Sequence, residues 1–529
     1  MTRSSLAVRG RVGLRRRLAT RSTLVFLGAW AALFVVAMAW VVASPLSSGP
    51  DESGHVAKAA GVVRDQLDGA PTSSAGVTTF RVPADVGDVG GAMTCFAGNP
   101  NRWAACAPSA DSLSRAAHVV RSGVGSYDPL YYALVGWPSL VLHGAHSFFA
   151  MRATSALLST FLLAIVFWVA ARSDRSRPLV IGAAIATTPM VLYLGAVVNA
   201  SGLEVSGTAA VTALGWSILH GRRRPATSEV VLFAVAVVLT ASARTTSPLF
   251  VVIVLVALCC TVPWARLLAV AGTRTVWRAA IVAAVLVVPA LVWTVAVAVP
   301  GGYIPSSDPA RPGIRAAVWH ALWSLGSYGQ GMIGVFGWQD SVAPGPVLTG
   351  WTAGIGAAVV LGLVTIRRAW MPVGLLSASV LLLPALLQAT SAHRLGYVWQ
   401  GRYGLPVLVA LVLVAVALGG RAASVRTSPV PLTAVLWTAW GVAQVTSFVM
   451  VYHRYSVGVG GPWDVVWRGG GWQAPHGLAP WLALDVIGSA GLLAVAILVA
   501  LGPRSRDALR TEVSAVSGVA RVSGCRSAN

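Results

Sequence analysis

Two carboxylates and an imidazole stand close together in residues 50–55, whose sequence is PDESGH. In a loop, one carboxylate can act as a general base while its neighbour binds a metal or a partner group. If a helix begins here, Glu52 and His55 share a face, because residues i and i+3 are neighbours on a helix. We therefore predict Asp51 and Glu52 as catalytic residues and His55 as a substrate-binding residue. The structural alternative is that Asp51 only caps a helix and His55 lies on the surface.

Arg402 lies at the predicted outer end of a later apolar run, where an arginine is unusual. A guanidinium at this depth can bind a phosphate group through two parallel hydrogen bonds. Arg394 and Gln400 are close to it in sequence, so all three residues are predicted to bind substrate. The alternative for Arg402 is contact with ordinary lipid headgroups through its long side chain.

Asp340 follows Phe336 and Trp338 in a second polar segment. Carboxylates accept hydrogen bonds from sugar hydroxyls, and aromatic rings stack on the C–H faces of sugars. Trp338 and Asp340 are therefore predicted to bind a sugar. Tryptophan is also enriched at membrane interfaces without any such role, and this alternative stays open.

Two acidic residues, Glu204 and Asp485, lie just inside apolar runs. Ionisable side chains are costly there and are usually functional or paired. Arg244 could pair with one of them. If the ends of the runs are displaced by a few residues, either acid is simply interfacial.

Cys95 and Cys106 lie in a polar segment that we place outside the cell, where a disulfide between them is expected. The pair alone lacks the ligands of a metal site. A bound divalent cation is possible, but no sequence pattern indicates one, and no other cofactor is predicted.

The elements that position these residues are apolar. Hydrophobic residues make up 56% of the chain and charged residues only 11%, against roughly 25% charged residues in a soluble domain. The net charge of +22 could indicate nucleic-acid binding, but the arginines lie between apolar runs and not on a soluble face. The predicted environment is therefore the lipid bilayer, with no nucleic-acid partner.

We predict an all-α polytopic membrane helix bundle of about 12 transmembrane helices, with a large first extracytoplasmic loop. A membrane-spanning helix needs about 20 apolar residues. The predicted crossings are residues 22–43, 150–171, 179–198, 202–220, 230–243, 248–262, 279–299, 349–366, 373–389, 405–418, 432–451 and 478–501.

Arginines fix the predicted orientation. Seven of them precede the first crossing, and further arginines follow every second crossing, which is the positive-inside pattern. Both termini are therefore expected in the cytoplasm and the main loops outside, in a multi-pass protein of the cell membrane. The first crossing is interpreted as a retained anchor and not as a cleaved signal peptide.

The resulting organisation has seven parts. They are a basic cytoplasmic N-terminus (1–21), the first transmembrane helix (22–44), an extracytoplasmic loop with a juxtamembrane helix (45–149), helices 2–7 (150–299), a second outer loop (300–348), helices 8–12 (349–502) and a cytoplasmic tail (503–529).

Four short motifs occur in order along most of the chain: Pro50-Asp51-Glu52 with His55, NASGLE at 199–204, GWQD at 337–340 and QGRY at 400–403. Together they resemble the bacterial multi-pass membrane family catalogued as domain of unknown function 2142. On this resemblance, Asn199 and Glu204 join the predicted substrate-binding residues.

An acidic motif directly after the first helix, followed by a large loop that ends in YDPLYY (127–132), also resembles the GT-C superfamily of membrane glycosyltransferases. In those enzymes an acidic residue of the first outer loop is the usual candidate for activating the acceptor, and the donor is a polyprenyl-phosphate-linked sugar. The resemblance implies transfer of a sugar to an envelope glycan or lipid acceptor. Asp51 or Glu52 would deprotonate the acceptor, Arg402 would hold the donor phosphate, and the first loop would shape the acceptor site.

Two other functions remain open. A transporter or flippase for lipid-linked glycans would also need many crossings, and it usually places polar groups near the bilayer midplane on broken helices. A non-catalytic membrane protein of envelope assembly would tolerate substitution of Asp51, Glu52 and Arg402.

Overall fold

The computed structural model describes residues 3–74, 76–221, 224–298, 312–365, 369–422 and 429–502. Within these ranges, the side chains of residues 3–19, 89, 90, 298, 394, 395, 421 and 422 are not described. The predicted C-terminal tail, part of the loop predicted at 300–348 and the side chain of Arg394 therefore lie outside the described residues.

Helices dominate the described residues, which confirms the all-α membrane bundle. Their bounds are α1 Arg3–Ala43, α2 Glu52–Val62, α3 Pro129–Gly136, α4 Gly144–Arg172, α5 Leu179–Ala186, α6 Pro189–Ala196, α7 Ala200–His220, α8 Thr227–Ala241, α9 Ser247–Cys260, α10 Trp264–Ala271, α11 Arg274–Trp293, α12 Ile314–Trp323, α13 Leu325–Gly334, α14 Gly345–Thr365, α15 Trp370–Leu395, α16 Leu405–Ala422, α17 Val430–Val457, α18 Trp463–Trp467 and α19 Ala479–Ala500.

Eight helices in the described ranges are long and apolar enough to cross a membrane, or up to ten crossings exist if each of two bent helix pairs counts as one. The expected count of twelve is not confirmed. Two of the predicted crossings correspond to α7 and α8, which are not among the eight. The reason is that α8 is only 15 residues long, while α7 carries Glu204 and several small hydroxyl residues.

The crossing predicted at 179–198 is a broken helix, because α5 and α6 meet at 73°. Pro189 is the first residue of α6, and Thr188 before it is extended. Proline has no N–H to continue the α5 hydrogen bonds and disfavours a helical residue before it, so the sequence itself places the break here. The crossing predicted at 248–262 is likewise part of a bent pair, since α9 turns into α10 at 117°.

The segment between α1 and α4, which we call the loop domain, has secondary structure of its own. It contains a three-stranded antiparallel sheet in the order β1 (Ala70–Pro71), β2 (Thr78–Pro83), β3 (Ala117–Ser122). Phe80 and Val82 on β2 are buried while Arg81 between them is exposed, as expected for a sheet with one covered face. A disulfide joins Cys95 to Cys106 in the connection from β2 to β3. A two-stranded hairpin, β4 (Val335–Phe336) and β5 (Ser341–Val342), lies in the later loop.

We call the end of the bundle that carries residues 44–143 the loop end. Helices α2 and α3 lie here, and α3 with the following 3-10 turn Trp137–Leu140 occupies the place of the predicted juxtamembrane helix. Helix α16 is almost wholly buried and α7 is buried along most of its length, whereas α11 is largely exposed. The loop domain therefore rests on a bundle whose centre contains α7 and α16.

Candidate active site

Asp51 links the loop after α1 to helix α2. It occupies the N-cap position of α2, but its side chain makes no capping hydrogen bond. Its backbone is left-handed, with φ of 57°, a conformation that aspartate and asparagine tolerate better than most residues. The carboxylate is therefore directed elsewhere, and the expectation that Asp51 merely caps the helix does not describe its contacts.

The carboxylate of Asp51 pairs with Arg402, which lies 351 positions further along the chain. Arg402 Nη2 is 2.5 Å from Asp51 Oδ2. The arginine side chain is only 6% exposed, whereas that of Asp51 is 45% exposed. Arg402 Nε is buried and has no hydrogen-bond partner among the described residues. The pair thus combines a solvent-accessible carboxylate with a guanidinium whose Nε–H has no partner in the described part of the chain.

A glycine sets the position of Arg402. Gly401 opens the 3-10 turn Gly401–Gly404 before α16 and lies against the backbone of α13. A Cβ on Gly401 would overlap the carbonyl oxygen of Tyr328. Only glycine permits this approach, which explains why the glycine precedes the arginine in the QGRY motif.

Arg244, in the turn between α8 and α9, brings a second positive charge to the same place. Its guanidinium lies over the ring of Tyr403 at 4.2 Å and donates to the hydroxyl of Tyr127 at 3.3 Å. Arg402 lies over the same Tyr403 ring at 5.1 Å. The two guanidinium groups therefore share one tyrosine, with Asp51 beside them.

Lys58, the single lysine among the 39 basic residues, adds a third cation from α2. Its ammonium group is fully buried and donates to the backbone oxygens of Gly125, at 2.6 Å, and of Tyr127. Burial lowers the pKa of Lys58 to about 7, while Asp128 and Asp68 act in the opposite direction. We call Asp51, Arg402, Tyr403, Arg244, Tyr127 and Lys58 the loop-end cluster.

His55 is held beneath this cluster by aromatic rings. It is buried, stacks on Tyr132 and shares a 2.8 Å hydrogen bond between its Nδ1 and the Tyr132 hydroxyl. Burial lowers the pKa of His55 well below its ordinary value, and the charges of Arg244, Arg402 and Lys58 lower it further. A neutral imidazole at this position is consistent with three cations nearby.

Glu52, the neighbour of Asp51, points into the bundle. Arg152 of α4 donates to both of its oxygens, at 2.7 and 2.6 Å, and both side chains are fully buried. The backbone N–H groups of Gly49 and Val198 also donate to this carboxylate. Each oxygen thus accepts two hydrogen bonds, and no room remains for a substrate. This geometry argues against Glu52 as a base and gives it a positioning role.

Asn199 and Trp338 hold the segment before Asp51 in place. Asn199 caps α7 by accepting from Ser201 N–H, and its amide donates to the carbonyl oxygen of Pro50 at 2.8 Å. Trp338 Nε1 donates to the carbonyl oxygen of Ser47 at 3.1 Å. Both predicted substrate-binding side chains therefore contact the protein backbone within four residues of Asp51.

Glu204 is the one of the two acids that pairs with Arg244. Its Oε2 lies 3.7 Å from Arg244 Nη1, and its Oε1 accepts from Ser247 at 2.6 Å. Glu204 is fully buried, so it anchors Arg244 beneath the loop-end cluster. Gln400 lies next to the cluster in sequence, and its Oε1 is buried without a hydrogen-bond partner in the described ranges.

Asp340 belongs to a separate contact. It pairs with Arg454 of α17 at 2.6 Å, with both side chains nearly buried. Arg454 also donates to the backbone oxygens of Phe96, Asn99 and Arg102, the first at 2.9 Å. These three residues lie within the disulfide loop, so Asp340 and Arg454 fasten that loop to the bundle.

In the described ranges, no three or more His, Cys, Asp and Glu side chains gather as a metal site of such ligands requires. The donors of the loop-end cluster are cationic and phenolic, apart from Asp51. They suit an anion such as a phosphate group better than a metal ion.

Three residues that make these contacts were missed in the sequence. Arg152 lies inside the predicted crossing 150–171, and an arginine within an apolar run is itself a signal of a buried partner. Lys58 is conspicuous as the only lysine. Arg454 follows the predicted crossing 432–451 at its predicted outer end, the position for which Arg402 was noticed.

The apolar helices and the bundle that they form define a polytopic membrane protein. The model of the family described as predicted membrane protein, domain of unknown function 2142, matches residues 33–411. The chain belongs to this family, which confirms the resemblance read from its four motifs. No curated protein and no solved structure matches the chain.

Proposed function

We propose that the protein is a GT-C-like glycosyltransferase, which moves a sugar from a polyprenyl-phosphate donor to an extracytoplasmic glycan or lipid of the cell envelope. The observation that carries the proposal is the Asp51–Arg402 pair, a half-exposed carboxylate 2.5 Å from a nearly buried guanidinium. Such a pair offers a base for an acceptor hydroxyl next to a binding group for a phosphate.

The proposed chemistry is a single inverting displacement. Asp51 accepts the proton of the acceptor hydroxyl while the hydroxyl oxygen attacks the anomeric carbon of the donor sugar. The bond between that carbon and the phosphate oxygen breaks, and its electron pair stays on the polyprenyl phosphate. Asp51 then releases the proton to solvent, for which its 45% exposure is suitable.

The departing phosphate is stabilised by the cations of the loop-end cluster. Arg402 Nε has no hydrogen-bond partner among the described residues, Arg244 supplies a second positive charge, and Lys58 supplies a third while it is protonated. Charged donors fixed before the reaction stabilise a developing anion without reorganisation. The surplus of positive charge around one carboxylate therefore favours a phosphate-bearing donor.

The other predicted site residues take supporting roles in this proposal. Glu52, Asn199 and Trp338 fix the segment that carries Asp51, while Glu204 anchors Arg244. His55 and Gln400 line the surroundings of Asp51 and Arg402. The loop domain, fastened through Asp340, shapes the acceptor side.

A transfer assay tests the proposal. The purified protein in lipid nanodiscs is given a panel of polyprenyl-phosphate sugars with a tritiated sugar, together with an envelope lipid and glycan extract as acceptor. We expect Asp51→Asn to lower the transfer rate roughly a hundredfold to ten-thousandfold, the usual contribution of a general base. Arg402→Gln should raise the KM for the donor. Asp464→Asn, an exposed carboxylate in an i,i+4 pair, is the control and should leave transfer unchanged.

Thermal unfolding of each variant separates loss of chemistry from loss of structure. An Asp51→Asn protein that unfolds like the parent but transfers no sugar supports the role of Asp51. Full transfer by that folded variant would overturn the mechanism, and tolerance of both Asp51→Asn and Arg402→Gln would favour the non-catalytic assembly role.

One observation favours the transporter alternative: the break of 73° between α5 and α6, since transporters often place their substrate at broken helices. Reconstituted vesicles distinguish the two functions. Movement of the intact lipid-linked sugar across the membrane, without transfer to an acceptor, would replace the enzyme proposal by transport.

A further inference from the structure

The interface between α17 and α19 contains buried polar groups that the proposed function does not use. The two helices run antiparallel, because the short connection between them folds back on the end of α17. Trp472 N–H donates there to the carbonyl oxygen of Ser456 at 3.0 Å. Within the membrane part, Gly441 of α17 faces Ser489 of α19, and a Cβ on this glycine would lie 3.3 Å from that of the serine.

Asp485 of α19 is fully buried, and neither of its carboxylate oxygens has a hydrogen-bond partner among the described residues. Gln444 of α17 is also fully buried, and neither Oε1 nor Nε2 of its amide has a hydrogen-bond partner among those residues. The hydroxyl groups of Ser447 and Ser489 are buried and unpaired too.

The helix geometry brings these side chains to one level. Gln444 is three residues beyond Gly441 on α17, and Asp485 is four residues before Ser489 on α19. Positions three and four apart share a helix face, so both residues lie one turn nearer the loop end than the Gly441–Ser489 contact. Ser447 lies one further turn along the same row of α17.

Other buried acids of the bundle differ from Asp485 in having a basic partner. Glu52 pairs with Arg152, Glu204 with Arg244 and Glu229 with Arg172. A carboxylate without a partner in a low-dielectric interior is costly, and such a residue within a membrane helix usually marks an ion or substrate site.

We infer that Asp485, Gln444, Ser489 and Ser447 form a binding site for Na⁺ between α17 and α19. The donors are carboxylate, amide and hydroxyl oxygens, which suit a hard cation. One carboxylate balances one positive charge, so a monovalent ion fits the site better than a divalent ion. Protonation of Asp485 would neutralise its charge but would leave the amide of Gln444 and the two hydroxyl groups without partners.

Equilibrium binding of radioactive sodium to the purified full chain in lipid nanodiscs tests the inference, with choline chloride keeping the ionic strength constant. We expect saturable binding by the parent protein. Asp485→Asn, which keeps the size of the side chain, should weaken it about tenfold or more, the equivalent of about 1.4 kcal/mol. Ser489→Ala should weaken binding less. Ser159→Ala is the matched control, because it removes a buried, unpaired hydroxyl on α4 and should change nothing.

Thermal unfolding in sodium and in choline chloride gives a second readout, since a ligand that binds only the folded state raises its stability. The parent and Ser159→Ala should unfold at a higher temperature in sodium, and Asp485→Asn at the same temperature in both salts. If Asp485→Asn yields no folded protein, the same comparison is made with Ser489→Ala, whose sodium response should be weaker than that of the parent. Absence of saturable sodium binding by the parent, or an undiminished response in folded Asp485→Asn and Ser489→Ala, would overturn the site.

Discussion

Asp51 and Glu52 are neighbours in the chain, but their carboxylates lie in two different regions of the molecule. The Asp51 side chain is 45% exposed and contacts Arg402 in the loop-end cluster. The Glu52 side chain is fully buried and accepts from Arg152 and two backbone N–H groups. We call this second region the Glu52–Arg152 joint. Both regions contain a carboxylate and an arginine, yet only one of them leaves a carboxylate oxygen accessible.

The difference comes from the backbone. Asp51 is left-handed while Glu52 begins helix α2, so the two side chains leave the chain in different directions. The residue type and the pairing partner therefore do not decide whether an acid can do chemistry. Accessibility and unused hydrogen-bonding capacity decide it, and both favour Asp51. Substitutions in each region test this division.

Arg152→Ala should destabilise the protein most, because it leaves the Glu52 carboxylate buried without its charged partner. Breaking a buried ion pair from one side costs about 3–5 kcal/mol. The unfolding midpoint in detergent and the yield of folded protein measure the loss. Arg468→Ala, which removes a highly exposed i,i+4 pair with Asp464, is the control and should have no measurable effect. An Arg152→Ala protein as stable as its parent would show that the joint is not structural.

Lys58 should make the free energy of unfolding of the protein depend on pH. Burial lowers the pKa of Lys58 to about 7, so above pH 7 the folded state releases a proton that the unfolded state keeps up to its ordinary pKa. Stability should therefore rise with pH from 7 upwards, by at most about 1.4 kcal/mol per pH unit.

The control for this pH effect is a comparison of variants. Lys58→Met should flatten the dependence of the unfolding midpoint on pH above 7, whereas Arg115→Met, at an exposed loop position, should keep it. The same slope in Lys58→Met and in the parent would assign the titration to another group.

Asp51→Asn should destabilise the protein less than Arg152→Ala, because only one side of the pair is buried: the Arg402 side chain is 6% exposed, but that of Asp51 is 45% exposed. Asparagine also accepts a hydrogen bond and tolerates a left-handed backbone. Chemical denaturation measures the change. A loss as large as that of Arg152→Ala would place Asp51 in the structural class of Glu52 and remove the distinction between the two regions.

The sequence predicted the membrane bundle and the family because apolar runs and short motifs are local signals. The predicted count of twelve crossings is not confirmed, since the bends at Pro189 and after Cys260 do not change the hydropathy of a run, and since α7 and α8 are apolar runs that do not qualify as crossings by length and hydropathy. The small sheet was also missed, although β2 alternates buried and exposed residues. The sidedness read from the arginines stays a prediction.

The candidate site was predicted in pieces. Asp51 and Arg402 were each selected for their own surroundings, but nothing in one sequence joins residues 351 positions apart. The different roles of Asp51 and Glu52 depend on the backbone angle of Asp51 and on Arg152, which lies 100 positions from Glu52. Local patterns therefore identified the candidates, and tertiary contacts separated the accessible acid from the buried one.

The attachment of the disulfide loop through Arg454 has a consequence for biosynthesis. The backbone oxygens of Phe96, Asn99 and Arg102 receive their hydrogen bonds from a residue of α17. During translation, the loop is made long before α17 leaves the ribosome. Its disulfide can therefore form early, but the Arg454 side chain that holds the loop is not present until most of the chain has entered the membrane. Completion of the domain that carries Asp51 is thus coupled to insertion of α17, which makes folding of the loop end a late event in biosynthesis.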